Sequence, residues 1–173
     1  MSNELDLLTG RLGWEEYRAA RDRFLDRFAR RTQLEQGRTT MGLHEFVEAW
    51  NARDPEAIAA QYTPDGVRHQ FALPEARLAG RDAIAQGVGA IIHAVPDASL
   101  EVRSQSIGQD GRVTVEWTFT GTHQNDFPGM PASGAHMSLP VISLFTLTGD
   151  ELVSEERVYW DMATLMAAAG VLG

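Results

Sequence analysis

The stretch that decides the fold lies in the second half of the chain, where apolar and polar residues alternate one by one: Val113-Thr114-Val115-Glu116-Trp117-Thr118-Phe119-Thr120. Successive side chains of a β-strand point to opposite faces of the sheet, so the apolar set shares one face and the polar set the other. Such alternation is typical of an antiparallel sheet with one covered face. The stretch therefore predicts a half-buried strand with Trp117 and Phe119 facing the interior.

The same period of two extends outward from this strand, over about 99–160. Gln109-Asp110-Gly111-Arg112 is typical of a hairpin turn, a second turn falls at 148–151, and a Gly- and Pro-containing loop spans about 124–135. The pattern predicts four principal antiparallel strands, and residues 161–169 are predicted to form a closing helix.

The first half of the main domain shows helical spacing instead. Apolar residues share one face over 43–52 and again over 81–94, and Asp54-Pro55-Glu56 is typical of a helix start. Thr63-Pro64-Asp65-Gly66 predicts a turn, and a short strand is expected at 67–71. Helices laid on one face of a curved antiparallel sheet give an α+β architecture.

The N-terminal segment differs from the rest in charge. Residues 1–40 hold 8 Arg against 7 acidic residues, whereas 41–173 hold 7 Arg against 17. Within this segment, an aromatic stripe over 13–35 predicts a helix. We therefore expect a helical extension over 1–40 and one domain over 41–173.

Composition excludes several classes of function. The net charge of −9 disfavours a nucleic-acid partner, because binding phosphates requires a basic face. All 15 basic residues are Arg, which excludes lysine Schiff-base chemistry, and the lack of Cys excludes disulfides and zinc–thiolate sites. His residues lack a second ligand at helical spacing, so no metal site and no cofactor are expected.

The N-terminus shows no pattern of a signal peptide, and no run of 18 apolar residues appears in the chain. We therefore expect a cytoplasmic protein with no membrane partner.

Five stretches, in this order, resemble the SnoaL-like branch of the NTF2-like superfamily. Each is a weak motif alone, but together they span about 43–170 and are fairly specific for the fold. They are Phe46-Val47-Glu48-Ala49-Trp50-Asn51-Ala52-Arg53-Asp54, Tyr62-Thr63-Pro64-Asp65, Gly80-Arg81-Asp82-Ala83-Ile84, Gly121-Thr122-His123 with Phe127-Pro128-Gly129-Met130-Pro131, and Val158-Tyr159-Trp160-Asp161.

The resemblance implies a cone in which a curved sheet and helices enclose a deep apolar pocket for a small hydrophobic molecule. It also implies a homodimer through the outer sheet face, where Thr118, Thr120, Ile142 and Leu144 alternate away from the pocket without charge. Family members include polyketide cyclases, isomerases, dehydratases, epoxide hydrolases and non-enzymatic binders, so fold does not determine activity.

The cyclases of this family use an Asp on the last strand as general base and a His on the strand before it. Aligned on Asp161 and on the strand that holds Phe145, these positions fall on Val158 and Ser143. Neither side chain can accept a proton from carbon at neutral pH. The usual aldol cyclisation mechanism is therefore in doubt for this chain.

Three other residues are candidates for acid–base chemistry. Asp161 is either the N-cap of the last helix or a base whose pKa is raised by Trp160 and Tyr159. Glu156 shares a strand face with Val158 and Trp160, and it is either an inward-facing carboxylate or part of a charged strand end. His69 follows a turn on a segment that lines the cavity in relatives, but a lone His is more often structural.

The pocket wall is predicted to include large apolar side chains, which serve equally well as core. The expected ligand-binding residues are Trp117, Phe119, Val141, Ser143, Phe145, Val158 and Trp160. Three functions stay open: a cofactor-free acid–base enzyme, a non-catalytic ligand-binding protein, and an interaction module that uses the N-terminal helix.

Overall fold

The computed structural model of the protein describes residues 43–73, 77–127 and 129–168. The predicted extension over 1–40 lies outside these residues, so the domain boundary stays a prediction. The helices are α1 (43–52), α2 (Pro55–Ala60), α3 (Arg81–Ala94) and α4 (Met162–Ala168). The strands are β1 (Tyr62–Gln70), β2 (Arg77–Ala79), β3 (Ser99–Ile107), β4 (Val113–Thr122), β5 (His136–Leu147) and β6 (Val153–Tyr159).

The six strands form one sheet in the order β2-β1-β6-β5-β4-β3. Strands β3 to β6 make the predicted antiparallel meander. Strand β1 adds to it parallel to β6, and β2 pairs antiparallel with β1. The predicted α+β class is therefore confirmed. The sheet is curved and unclosed, and it contains β1 and β2 in addition to the four predicted principal strands.

The sequence predicts a turn at 63–66 that precedes a strand at 67–71, and this prediction is wrong. Strand β1 begins at Tyr62 and runs through these residues, and its register against β6 shifts between Tyr62 and Val67. Pro64 has no N–H to give to a ladder, so proline within a sheet belongs at edges and bulges. The turn residues therefore form a bulge inside the strand instead of ending it.

Side-chain hydrogen bonds fix the ends of the first two helices, and the cap of α2 is the one that the sequence predicts. Asp54 accepts a hydrogen bond from the backbone N–H of Ala57 at 3.0 Å and so caps α2. The Asn51 side-chain oxygen accepts from the Leu100 N–H at 2.8 Å, and its amide donates to the Leu100 carbonyl at 3.2 Å. This pair of bonds fastens the end of α1 to β3.

The core lies between the helices and the inner face of the sheet. Phe46 of α1 meets Phe145 edge-on, with ring centroids 5.4 Å apart, and its centroid is 6.0 Å from that of Trp117. These three rings are almost fully buried. None of the described helices is long and apolar enough to span a membrane.

Candidate functional site

A cavity opens beside this aromatic core and extends to the surface. Its volume, measured as the space that the centres of water-sized spheres can occupy, is about 130 Å³. Its lining is predominantly apolar and comes from α1, α3, α4, five of the strands and the segment after β4. A concave, mostly apolar cavity of this kind is suited to a small organic molecule.

One carboxylate, that of Glu156 on β6, lies in the wall of this cavity and is 1% exposed. Arg68 donates through Nη1 to Glu156 Oε2 at 2.5 Å, and the Tyr62 hydroxyl donates to the same oxygen. Ser143 donates through Oγ to Glu156 Oε1 at 2.8 Å. Burying a charge is costly unless it is paired and hydrogen-bonded, and this one is both.

The surroundings of Tyr62 keep its hydroxyl protonated. Burial raises the pKa of Tyr62 well above its ordinary value, and the negative charge of Glu156 raises it further, against an opposing effect of Arg68. Tyr62 is therefore a hydrogen-bond donor to the carboxylate across the neutral pH range.

Three buried nitrogens in the wall lack a hydrogen-bond partner among the described residues: Trp50 Nε1, Arg68 Nε and His123 Nε2. The Arg68 guanidinium lies over the Trp50 ring, 5.5 Å from its centroid. His123, which follows β4, bonds Ser133 Oγ through Nδ1 at 3.2 Å. Buried polar atoms without a hydrogen-bond partner are rare in proteins, so each of the three calls for an explanation.

Most of the predicted wall residues do line the cavity: Trp117, Phe119, Val141, Ser143, Val158 and Trp160. Phe145 does not, because its ring is fully buried in the core against Phe46 and Trp117. Ser143 and Val158, the positions that the resemblance assigns to the cyclase His and Asp, are register partners across β5 and β6. The two side chains are buried and border the cavity together.

The expectation of a raised pKa for Asp161 is wrong. Asp161 is exposed, and its Oδ2 accepts from the Thr164 hydroxyl at 2.6 Å and from the Thr164 N–H at 2.9 Å. These bonds lower the pKa of Asp161, with a smaller contribution from the Ala163 N–H. Asp161 is the N-cap of α4, the other role that the sequence suggested for it.

The placement of His69 in the cavity is also wrong. Arg68 and Gln70 point into the cavity wall, and alternation along β1 puts His69 on the opposite face. There its ring lies 4.1 Å from that of Phe71, which stacks on Tyr159 at 4.6 Å. His69 therefore belongs to the outer face of the sheet.

The sequence interpretation missed Arg68, Tyr62, Trp50 and His123 as parts of the site. Arg68 had a local signal, since it is the neighbour of His69 in the sequence. The alternation of side chains along β1 decides which of the two faces the cavity. The pairing of Arg68 with Glu156 joins residues 88 apart and has no local signal. No cluster of three metal-binding side chains is found among the described residues.

Fold and cavity together define the class: a curved sheet and helices around an apolar pocket, the NTF2-like, ketosteroid isomerase-like architecture. The family model of SnoaL-like polyketide cyclases matches residues 41–169, and the chain belongs to this family. No curated protein matches the chain significantly.

Solved structures agree on the fold. The protein AclR of Streptomyces galilaeus, a proposed hydroxylase, is 26% identical with a TM-score of 0.67, over 80% of this chain and 99% of that one. A proposed SnoaL-like polyketide cyclase from Jannaschia is 20% identical, TM-score 0.65, over 78% and 95%. A Catenulispora acidiphila protein with a ketosteroid isomerase-like fold is 18% identical, TM-score 0.66, over 76% and 94%.

Proposed function

We propose that the protein is a cofactor-independent enzyme that moves a proton on a small hydrophobic molecule, by chemistry of the isomerase, cyclase, dehydratase or hydrolase type. The observation that carries the proposal is the Arg68–Glu156 ion pair in the wall of an apolar cavity. In a water-poor cavity, a positioned carboxylate is the kind of group that accepts or donates a proton in a reaction.

The hydrogen bonds of Glu156 leave room for such a role. An ionised carboxylate offers about four acceptor positions. Two donors occupy Oε2, namely Arg68 and Tyr62, whereas Ser143 alone binds Oε1. Oε1 therefore keeps an acceptor position, and we assign to it the contact with the proton of the bound molecule.

The apolar wall supports a flat hydrophobic ligand, polyketide-like in shape. Aromatic rings of Trp117, Phe119 and Trp160 and aliphatic side chains such as Leu139 and Val141 border the cavity. Rings of this kind contribute large contact areas at low entropic cost. Because the cavity is open and not filled by side chains, the sequence-based alternative of a pure interaction module loses support.

A ligand-binding protein without activity is the second candidate. It is favoured by Ser143 and Val158, which occupy neighbouring wall positions where the family resemblance places a catalytic His and Asp. In that case the Arg68–Glu156 pair would serve only stability and ligand orientation.

The exchange of α-protons of β-tetralone in D2O, followed by NMR, tests the proposal. This flat ketone has acidic protons beside its carbonyl group, and a base in the cavity would exchange them faster than buffer does. Glu156→Gln should abolish the acceleration. Glu155→Gln is the matched control, because Glu155 pairs with Arg157 and is about one-third exposed. Binding of β-tetralone without accelerated exchange would favour the ligand-binding alternative.

We also propose a homodimer through the outer face of the sheet. Exposed apolar side chains meet there: Ile142 is the register partner of Tyr159, and Phe71 stacks on Tyr159. Phe71, Ile142 and Tyr159 are 42%, 43% and 38% exposed, which is unusual for large apolar residues unless a partner covers them.

A cytoplasmic location remains a prediction from the sequence.

A further inference from the structure

We propose that Trp50 Nε1–H and Arg68 Nε–H form a subsite that binds a neutral carbonyl oxygen of the ligand. Both donors are buried, both residues line the cavity, and neither nitrogen has a partner among the described residues. Leaving a buried donor unsatisfied costs free energy, so an acceptor on the bound molecule would stabilise the complex. This inference rests on the proposed function of the cavity and names the chemical class of its ligand.

The two donors belong to neighbouring side chains that are held in place. The Arg68 guanidinium lies over the Trp50 ring at 5.5 Å, and its Nη1 is bound to Glu156 at 2.5 Å. Trp50 is held because the adjacent Asn51 bonds the backbone of β3. One guanidinium thus bonds the carboxylate through Nη1, while its Nε has no partner among the described residues.

The charge of the wall favours a neutral acceptor over a carboxylate. Among the described residues that line the cavity, Arg68 and Glu156 are the two with a full charge at neutral pH, and they neutralise each other. A ligand carboxylate would bring a second negative charge to a site whose one cation is already paired. A ketone, ester or lactone carbonyl takes the same two N–H donors without that cost.

This subsite explains how the ligand would be oriented toward Glu156. With its oxygen on Arg68 and Trp50, the carbonyl group places an adjacent C–H bond near the carboxylate. Transfer of that proton to Glu156 Oε1 leaves the electron pair of the C–H bond on an enolate, whose oxygen the two N–H groups stabilise. His123 Nε2 is not assigned to the subsite, since it donates in only one of the two neutral tautomers.

Equilibrium dialysis with three matched probes tests the subsite: β-tetralone, its analogue with a methylene group in place of the carbonyl oxygen, and a tetralin carboxylate with the charge at the same ring position. We expect the ketone to bind about tenfold more tightly than the methylene analogue, as two hydrogen bonds to buried donors imply. The carboxylate should bind more weakly than the ketone.

Substitution then assigns the effect to Trp50. Trp50→Phe removes the N–H group and should weaken the binding of the ketone by about threefold to tenfold. The binding of the methylene analogue should not change. Leu139→Ala, on the apolar wall, is the control and should weaken the binding of both probes to the same extent. Independently of any variant, the infrared C=O stretch of the bound ketone should shift to lower frequency than in hexane.

The outcomes separate the subsite from the proposed function. Equal binding of ketone and methylene analogue, or tighter binding of the carboxylate, would overturn the subsite while the hydrophobic site stands. Failure of both neutral probes to bind would overturn both proposals. Selective binding of the ketone without α-proton exchange would support the subsite and count against catalysis.

Discussion

Arg68 and Glu156 are direct register partners on the parallel strands β1 and β6, and their buried side chains form an ion pair at 2.5 Å in the wall of the cavity. Strands β3 to β6 form an antiparallel meander, so the parallel pairing of β1 with β6 is the place where the first half of the chain meets the last strand. The contact that joins β1 to β6 therefore also places the charged pair in the wall of the cavity.

Removal of one partner of this pair should be strongly destabilising. Arg68→Met leaves the Glu156 charge buried without its cation, and we expect a loss of about 3–5 kcal/mol in the free energy of unfolding. The double variant Arg68→Met/Glu156→Leu should recover much of this loss, because no uncompensated charge remains. Urea denaturation of both variants measures the difference.

The exposed pair Arg157–Glu155 on the same strand is the control. Its variant Arg157→Met should leave the free energy of unfolding nearly unchanged, since exposed ion pairs contribute little. A loss in Arg68→Met no larger than in Arg157→Met would contradict the assignment of a buried, tightly paired charge.

Tyr62 should make the protein sensitive to alkaline pH. Its pKa in the folded state lies well above the ordinary value of 10.0. Above that value the unfolded chain loses the proton while the folded protein retains it, so stability falls as pH rises. We expect the melting temperature of Tyr62→Phe, although lower at neutral pH, to decline less steeply above about pH 10. Parallel slopes for the two proteins would show that Tyr62 ionises freely.

The sequence predicted much of the wall and little of the polar site, for a physical reason. Alternation along a strand decides which of its residues share a face, so Trp117 groups with Phe119 on β4, and Glu156 groups with Val158 on β6. Which residues of β1 face the cavity depends on the bulge after Tyr62 and on the pairing of β1 with β6. No local sequence pattern reveals either of these. That is why the sequence indicates His69 as a candidate but does not identify Arg68, its neighbour on the inner face.

The alternating pattern also does not show how deeply an inward-facing side chain is buried in the core. Phe145 faces inward as predicted, but the rings of Phe46 and Trp117 cover it, so it does not reach the cavity. The position of α1 across the sheet decides this, and it depends on contacts between distant parts of the chain.

Asp161 should matter for stability and not for chemistry. Asp161→Ala removes the acceptor for the Thr164 N–H and hydroxyl, which lowers the melting temperature modestly and leaves ketone exchange unchanged. Because the pKa of Asp161 is lowered in the folded state, its contribution is present above the pKa of the unfolded chain. It is lost as pH falls through the folded value. A large loss of exchange activity in a folded Asp161→Ala variant would restore Asp161 as a candidate base.

The outer sheet face should carry a dimer interface. We expect sedimentation at micromolar concentration to report twice the mass of the 19.1 kDa chain. Ile142→Arg should shift the protein to the monomer, because it places a charge in the middle of the exposed apolar patch. Gln109→Arg, in the exposed turn between β3 and β4, adds a charge outside this patch and is the control that should not change the mass. A wild-type protein of single-chain mass would refute the interface.

The central claim is that Glu156 accepts a proton from a small molecule in the cavity, and the rate of α-proton exchange of β-tetralone measures it most directly. Relative to the wild type, Glu156→Gln should lower the enzyme-dependent rate by about 10²–10⁴-fold, while circular dichroism shows an intact fold. Glu155→Gln should retain the wild-type rate. A folded Glu156→Gln variant that exchanges the protons as fast as the wild type would contradict the account.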